Sequence, residues 1–493
     1  MITIVLPGEA YYYDIQALTK AFYPMEELVF ATEEAVPISE EKKIKFRFDT
    51  DRIGISFEEN GIPIFEDVSP VITETEEEAR KKQYKNEVKR LLYRCLSRVS
   101  GQKLDWGTLT GVRPTKLPMA YYIEGQTEEE VHKRMQEEYY LSPGKAELCC
   151  EIAKRELRLL EQLDYEKGYS IYIGIPFCPT TCLYCSFTSY SYEKLGSYAD
   201  AYLEALFKEI DYAKDCMPDK KLESIYIGGG TPTALCEEQF ERLLKKVRQT
   251  FDFTYVKEFT VEAGRPDSIT EEKLRLMKEY GVGRISINPQ TMQQKTLEVI
   301  GRSHSVDQIR EAFHMARRIG HDNINMDLIV GLPGETLDDV EDTLKQVGEL
   351  NPDSITIHSL VTKRAARLNL NRDLRDCDAI DAMVERGRLF CKEHGYAPYY
   401  MYRQKNTTGS SKSANQENIG YAREGKEGIY NILIMEEKQI ILALGAGGSS
   451  KFVFPGENRV ERVENVKSLT DYISRIDEMI ERKRSFIGRE FHA

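Results

Sequence analysis

The segment Ile171–Tyr190, IYIGIPFCPTTCLYCSFTSY, contains the features that decide the fold. Its first five residues are a β-branched and aromatic run that predicts a buried strand, and Pro176 ends it because proline has no N–H for a ladder bond. Cys178, Cys182 and Cys185 follow with the spacing C-x3-C-x2-C. Three thiolates on one loop can bind three irons of a [4Fe–4S] cube and leave the fourth iron open. An open position is typical of a catalytic metal site.

The same three cysteines could also belong to a zinc site without its fourth ligand, or cluster by chance in a chain with ten cysteines. Zinc sites usually pair two C-x2-C knuckles or add closely spaced histidines, and neither pattern occurs here. His132, the nearest candidate, lies far upstream in a predicted helix. The spacing therefore favours the cluster.

Length and composition bound the class of protein. A chain of 493 residues predicts two or three domains, and 41% hydrophobic with 30% charged residues indicates an ordinary water-soluble protein. The net charge of −13 argues against a nucleic-acid partner. We expect no membrane span and no secretory signal, because no apolar run is long enough and the N-terminus lacks a charged n-region. Scattered cysteines suit a reducing compartment, so the predicted location is the cytoplasm.

Upstream of the cysteine segment, residues 1–165 are predicted to form an α+β domain. Strand patterning occurs in MITIVLPG, ELVFATEE and the hairpin formed by KIKFRFD and GISFEENG, and helices are predicted near 76–99, 127–139 and 144–165. Between the first two helices lies GVRPTKL, Gly111–Leu117, with the cations Arg113 and Lys116. This basic pair beside a glycine turn could bind a carboxylate or cap a helix.

From residue 166 to 365 short strands alternate with helices, which predicts a parallel sheet. Six βα units would form a partial (β/α)6 barrel, with the active site at the C-terminal ends of the strands. The predicted strands are 171–175, 223–228, 259–263, 284–288, 324–330 and 354–359. The predicted helices are 195–216, 236–250, 270–280, 291–299, 306–319 and 336–349.

Downstream, residues 366–493 are predicted to form an α+β extension over the substrate. It begins with a helix at 377–394 and a tyrosine-rich strand, YAPYYMYRQKN, which carries the cations Arg403 and Lys405. Thr407–Asn418 is predicted to be a mobile loop. Two further strands are predicted in GIYNILIM and QIILALGAGG, followed by helices near 467–483.

The cysteine spacing, with the aromatic Tyr184 before the last cysteine, resembles the signature of radical S-adenosylmethionine (SAM) enzymes. The flanking motifs are most similar to the oxygen-independent coproporphyrinogen III oxidase group and to its HemZ-type branch. The resemblance implies a [4Fe–4S] cluster on the three cysteines and SAM on the open iron, with no further catalytic residue. The SAM contacts that it implies are Tyr172, Gly229, Gly230, Thr231, Glu262, Gln290, Arg302 and Asp327.

The resemblance also implies a reaction and partners. The reaction is oxidative decarboxylation of coproporphyrinogen III to protoporphyrinogen IX, with a flavodoxin or ferredoxin as electron donor and Arg113, Lys116, Arg403 and Lys405 as substrate cations. One position departs from the well-characterised branch, which has a fourth cysteine where this chain has Phe187. Haem chaperones of the same superfamily have phenylalanine there, and other relatives methylate or degrade tetrapyrroles. These functions remain alternatives.

Overall fold

The structure is a computed structural model that describes residues 1–32, 41–360, 377–403, 417–454, 456–457 and 459–491. The chain divides into two compact units. The first comprises Met1–Glu151, Asn371–Asp381 and Arg403–Gln416, and the second comprises the remainder of the chain. The three-domain boundaries at 165 and 365 stay a prediction.

The first unit has a mixed sheet covered by helices. Its strands run in the order β2-β1-β3-β4-β5, with β1 parallel to β2 and β3 and the others antiparallel. The strands are β1 Ile2–Val5, β2 Leu28–Ala31, β3 Lys42–Phe48, β4 Ile53–Glu59 and β5 Ile62–Val68. The helices are α1 Tyr12–Phe22, α2 Glu77–Ser100, α3 Lys116–Ile123, α4 Glu128–Tyr139 and α5 Pro143–Leu160, which continues into the second unit.

The sequence patterns predicted the hairpin β3–β4 and the helix α2, whose apolar residues Val88, Leu91 and Leu92 are fully buried in this unit's core. Helix α1 and strand β5 were not predicted. Strand β5 is mostly exposed and has no clean alternation of apolar and polar residues, so periodicity does not reveal it.

In the second unit, a large sheet contains the predicted barrel. Its strands are β6 Gly168–Ile175, β9 Lys221–Gly229, β10 Glu258–Gly264, β11 Arg284–Ile287, β12 Ile324–Val330, β13 Ser354–Ser359, β14 Ala397–Arg403, β15 Glu417–Ala422, β16 Ile440–Leu444, β17 Ser449–Phe454 and β18 Arg459–Glu464. A separate pair is formed by β7 Phe177–Cys178 and β8 Tyr190–Ser191. The helices are α6 Tyr192–Leu195, α7 Ala199–Asp215, α8 Glu237–Thr250, α9 Glu271–Glu279, α10 Gln294–Val299, α11 Val306–Ile319, α12 Leu337–Leu350, α13 Cys377–Glu393, α14 Ile429–Glu436, α15 Leu469–Ser474 and α16 Ile476–Phe491. The first residues of α13, up to Asp381, belong to the first unit.

The six predicted barrel strands are adjacent and parallel in the order β6-β9-β10-β11-β12-β13. This arrangement confirms the α/β fold class and the partial barrel. At the β13 edge the sheet continues antiparallel into β15 and then β14, and at the β6 edge it continues parallel into β16. Strands from the C-terminal region therefore extend both edges of the barrel.

One C-terminal prediction is wrong: GIYNILIM forms the helix α14 and not a strand. A short apolar run has no periodicity that separates a buried helix from a buried strand. The N–H groups of Ile429 and Tyr430 at the helix start donate to the Glu258 carboxylate, at 2.6 and 3.3 Å. This acceptor comes from β10, about 170 residues upstream, so local sequence does not reveal it.

Candidate functional site

The cysteine loop leaves the first barrel strand and is closed at its base. Strand β6 ends at Ile175, before Pro176, and Phe177–Cys178 pairs in parallel with Tyr190–Ser191 where the loop returns. The Tyr190 N–H also donates to the Pro176 carbonyl at 2.7 Å. Inside the loop, the Cys185 N–H donates to the Cys182 carbonyl at 3.2 Å. All three cysteines therefore lie on one closed loop at the C-terminal end of a parallel strand.

The glycine loop after β9 packs directly on the start of the cysteine loop. The Gly230 N–H donates to the Ile175 carbonyl at 2.8 Å, and the Thr231 N–H donates to the Phe177 carbonyl at 2.6 Å. The Thr231 hydroxyl lies 3.6 Å from Cys178 Sγ. A Cβ on residue 230 would lie 2.5 Å from the Phe177 carbonyl oxygen, so only glycine allows this approach.

A half-buried carboxyl group lies behind the glycine loop. Glu262 Oε1 accepts the Tyr226 hydroxyl at 2.5 Å, and Tyr226 stacks on Tyr430 with ring centroids 4.6 Å apart. Tyr172, opposite Tyr226 in the β6–β9 register, completes this group of stacked rings. Burial, with a contribution from the Asp327 charge, raises the pKa of Glu262 to about 7. A cationic partner would stabilise the ionised form of this carboxyl group.

Asp327 and Gln290 meet on neighbouring strand ends. The Gln290 N–H donates to the Asp327 carbonyl, and the Ile329 N–H donates to the Gln290 carbonyl, both at 2.9 Å. Gln290 has a φ of 68°, a left-handed conformation that is uncommon for a residue with a side chain. The Asp327 carboxylate accepts from the Asn325 amide at 2.7 Å and lies 4.0 Å from His358 Nε2.

Arg302 connects the later strands to the cysteine loop. Its guanidinium, only 6% exposed, donates to the Asn288 carbonyl and to the Tyr184 hydroxyl, the latter at 3.1 Å. Its Nε has no hydrogen-bond partner. The neighbouring Leu183 N–H donates to the Ile300 carbonyl at 3.1 Å. The predicted SAM contacts thus come from the carboxyl-terminal halves of the parallel strands and from the segments that follow them.

The residues present fit an iron–sulfur cluster with a bound amino acid group. The donor set is three cysteines on one loop, the half-buried Glu262 suits an ammonium group, and the unpartnered Nε of Arg302 suits an anion. In the part of the chain that the structure describes, no three His, Cys, Asp or Glu side chains are placed to hold a single metal ion. A [4Fe–4S] cube does not require three side chains around a single ion, because each thiolate binds its own iron.

Three of the candidate substrate cations, Arg113, Lys116 and Arg403, belong to the first unit, which begins again at Arg403, the last residue of β14. The Arg403 N–H donates to the Val112 carbonyl at 2.7 Å, its guanidinium donates to the Leu109 carbonyl at 2.5 Å, and it lies 4.8 Å from the centre of the Trp106 ring. Arg403 is therefore next to the GVRPTKL segment, in which Arg113 is half-buried and Lys116 is exposed. Lys405 lies outside the described residues, as does most of the predicted loop Thr407–Asn418.

Arg265, which follows the Glu262 strand in TVEAGRP, was not predicted as a site residue. Its guanidinium donates to Thr180 of the cysteine loop and lies 4.0 Å from Cys182 Sγ. Its position just beyond a barrel strand was an available signal, because this end of each strand contributes to the site. Tyr226 was missed for a different reason: an apolar strand pattern does not indicate which aromatic residue carries a functional hydrogen bond.

Comparisons with known proteins agree with this geometry. A family model described as the radical SAM superfamily matches residues 172–347. The oxygen-independent coproporphyrinogen-III oxidase-like protein HemZ of Bacillus subtilis is 37% identical over 488 residues, which cover 97% of this chain and 95% of HemZ. The haem chaperone HemW of the same organism is 32% identical over 317 residues, which cover 62% of this chain and 76% of HemW.

Among solved structures, coproporphyrinogen III oxidase (HemN) from Escherichia coli, a radical SAM enzyme, matches with a TM-score of 0.52 and 25% identity. The match covers 66% of this chain and 72% of HemN. Members of the radical SAM superfamily bind a [4Fe–4S] cluster and SAM, and these are the cofactors of this chain. The near-complete match to HemZ, together with the barrel and its cysteine loop, places the chain in the radical SAM superfamily, in the HemN/HemW/HemZ family.

Proposed function

We propose that the chain catalyses the oxygen-independent oxidative decarboxylation of coproporphyrinogen III to protoporphyrinogen IX. The observation that carries this proposal is the match to HemZ over 97% of the chain, which includes the N-terminal region and GVRPTKL as well as the barrel. Each of two propionates would lose CO2, one hydrogen atom and one electron, which passes to a one-electron acceptor, and a vinyl group would remain. When bound, the cluster and SAM supply the radical that removes the hydrogen atom.

In this proposal Cys178, Cys182 and Cys185 hold three irons, and the neighbouring strand ends hold SAM. Glu262 and the backbone of Gly229 and Gly230 would take the SAM amino group, since a partly desolvated carboxylate at the glycine loop attracts an ammonium ion. Arg302 would take the SAM carboxylate as a charge-assisted donor. Tyr172, Thr231, Gln290 and Asp327 would complete the SAM site.

The substrate is a tetra-acid, so the proposal requires cations. Arg113, Lys116 and Arg403 are assigned to propionate groups because Arg403 is hydrogen-bonded to the segment that contains the other two. Lys405 is also assigned to a propionate group, from the sequence alone. The electron donor in this proposal is a small flavodoxin or ferredoxin, and the site of action is the cytoplasm. In the described part of the chain, no helix combines the length and apolar character needed to cross a bilayer.

A haem chaperone is the second candidate function. Phe187 stands where the well-characterised oxidases have a fourth cysteine, and on the cysteine loop its side chain is 73% exposed. The 32% identity to HemW points in the same direction. A chaperone would bind haem tightly and would not convert coproporphyrinogen III.

Anaerobic turnover separates these candidates. The reconstituted protein is incubated with SAM, dithionite and coproporphyrinogen III, and the products are identified by mass spectrometry. Loss of two CO2 and four hydrogens supports the oxidase, whereas a methyl gain indicates a methyltransferase. Tight haem binding in a spectral titration, with uncoupled SAM cleavage only, favours the chaperone. The matched control is a variant with alanine at Cys178, Cys182 and Cys185, which should retain no cluster and no activity.

A further inference from the structure

A buried arginine outside the proposed SAM site reaches the cysteine loop. Arg265 is 3% exposed and lies on the bend between β10 and α9. Its Nη1 donates to the Thr180 carbonyl at 2.9 Å and lies 2.7 Å from the Thr180 hydroxyl. The same nitrogen lies 4.0 Å from Cys182 Sγ. A permanent positive charge is therefore held against the sulfur of one proposed iron ligand.

Asp267 fixes the direction of this guanidinium. Its carboxylate accepts Arg265 Nε at 3.0 Å on one oxygen and Arg265 Nη2 at 2.6 Å on the other. This bidentate pairing leaves Nη1 for the cysteine loop. His304 is 1% exposed and has its Nδ1 at 3.7 Å from the Asp267 oxygen that accepts Arg265 Nε. Burial lowers the pKa of His304, so the imidazole is neutral at pH 7 and Asp267 pairs with the arginine.

We propose that Arg265 raises the reduction potential of the [4Fe–4S] cluster and that Asp267 is its positioning residue. The inference rests on the proposed ligation by Cys178, Cys182 and Cys185. Reduction takes the cluster from the 2+ to the 1+ state with one electron from a low-potential one-electron donor, and no atom is exchanged. The added negative charge is stabilised by a nearby cation and by hydrogen bonds around the ligand sulfur. Without Arg265 the same electron is harder to add.

The structure provides a second arginine of the same kind as a control. Arg155 is 7% exposed and is paired through Nε and Nη2 with one oxygen of the Glu427 carboxylate. It lies in the same unit and has no hydrogen bond to the cysteine loop among its described contacts. Arg155→Gln thus removes a comparable buried ion pair. A general effect of lost stability on the cluster would appear in both variants.

The experiment is a redox titration of the reconstituted full-length protein with titanium(III) citrate, followed by the electron paramagnetic resonance signal of the reduced cluster. Iron and sulfide are quantified first. In Arg265→Gln we expect the equilibrium constant for reduction to fall about tenfold, which for one electron is a shift of about 59 mV to lower potential. Arg265→Lys keeps the positive charge but cannot form the bidentate pair with Asp267, so its reduction potential should fall by less. Arg155→Gln should match the wild type.

An unchanged potential in Arg265→Gln with full iron content would overturn the inference, as would an equal shift in Arg155→Gln. If Arg265→Gln does not fold or retain iron, Asp267→Glu gives the answer, because it keeps the carboxylate charge and displaces the guanidinium that the carboxylate holds. A lower potential in Asp267→Glu supports the proposal, and an unchanged one contradicts it. A wild-type protein that retains no cluster contradicts the cysteine ligation instead, so the two failures are distinguishable.

Discussion

Glu262 is a carboxyl group whose protonation matters at neutral pH. It is enclosed by Tyr226 and the glycine loop, and its pKa is raised to about 7, mainly by burial. Only the ionised form attracts an ammonium group. As pH rises through about 7 the free protein loses this proton, so a cationic ligand binds with less competition from it.

We therefore expect SAM affinity to increase between about pH 6 and about pH 8, with proton release on binding that is largest below the Glu262 pKa. Isothermal titration calorimetry in buffers of different ionisation enthalpy measures both effects. The matched variant is Glu262→Gln, which cannot ionise and should give weak, nearly pH-independent binding. A wild-type affinity that is flat over this range would contradict a role for the carboxylate.

Arg302 offers a second test of the SAM site. Arg302→Ala removes a charge-assisted hydrogen bond, so SAM binding should weaken by about 1.5–3 kcal/mol. The control is Arg310→Ala on α11, because Arg310 is partly exposed and pairs with Asp307 and Gln346. Equilibrium binding to protein with full iron content measures the difference. Equal SAM affinities in the two variants would contradict a role for Arg302 in binding SAM.

At the scale of elements, a buried polar network joins the C-terminal helices to the barrel. The Glu209 carboxylate on α7 accepts from Lys483 Nζ on α16 and from the Asn465 amide, both at 2.8 Å. It also accepts the Tyr472 hydroxyl at 2.5 Å and the Gly445 N–H at 2.8 Å. Glu209 and Lys483 are both fully buried. These bonds fix the Gly445 turn beside the first barrel strand.

Lys483→Met should destabilise the protein by about 3–5 kcal/mol, because it leaves the Glu209 charge buried without its counter-ion. The double variant Glu209→Gln/Lys483→Met should recover part of this loss. Lys246→Met serves as the control, since its ion pair with the 61% exposed Asp211 is worth less than about 1 kcal/mol. Urea denaturation under anaerobic conditions measures the series. A Lys483→Met effect no larger than the control would contradict the network's role.

The elements also show what the sequence can and cannot reveal. The barrel helices were predictable because apolar residues recur at helical spacing, and α11 was predicted with its observed bounds, 306–319. The barrel strands were predictable as short, β-branched apolar runs that alternate with these helices. Its start carries a capping box formed by Ser305 and Gln308, which is a local signal. Helix α14 was misassigned because Glu258, from a distant strand, supplies its capping acceptor. In the site, the pairing with Asp267 orients the Arg265 guanidinium. This orientation exists only in the folded loop, so the sequence does not reveal it.

At the scale of the whole molecule, the proposed SAM ligands all belong to the second unit. We expect SAM to slow amide hydrogen exchange at the ends of β9, β10 and β12 and to leave the β3–β4 hairpin of the first unit unchanged. A ligand at a free concentration of about 100 times its dissociation constant stabilises the state that binds it by about 2.7 kcal/mol. Exchange mass spectrometry with and without SAM measures this pattern, and Arg302→Ala provides the weakly binding control. Equal protection in both units would contradict the assignment.

The pairing of β16 with β6 has a consequence for folding during synthesis on the ribosome. Ser170 near the start of the first barrel strand is hydrogen-bonded to Gln439, 269 residues later. At about 5–20 residues per second, synthesis of the intervening chain takes roughly 13–54 s. Throughout that interval one side of β6 is an open edge, and such edges recruit other chains. The strand that carries the cysteine loop is the first of the barrel to emerge and among the last to be enclosed, so we expect iron and sulfide to be delivered to a finished chain and not to a nascent one.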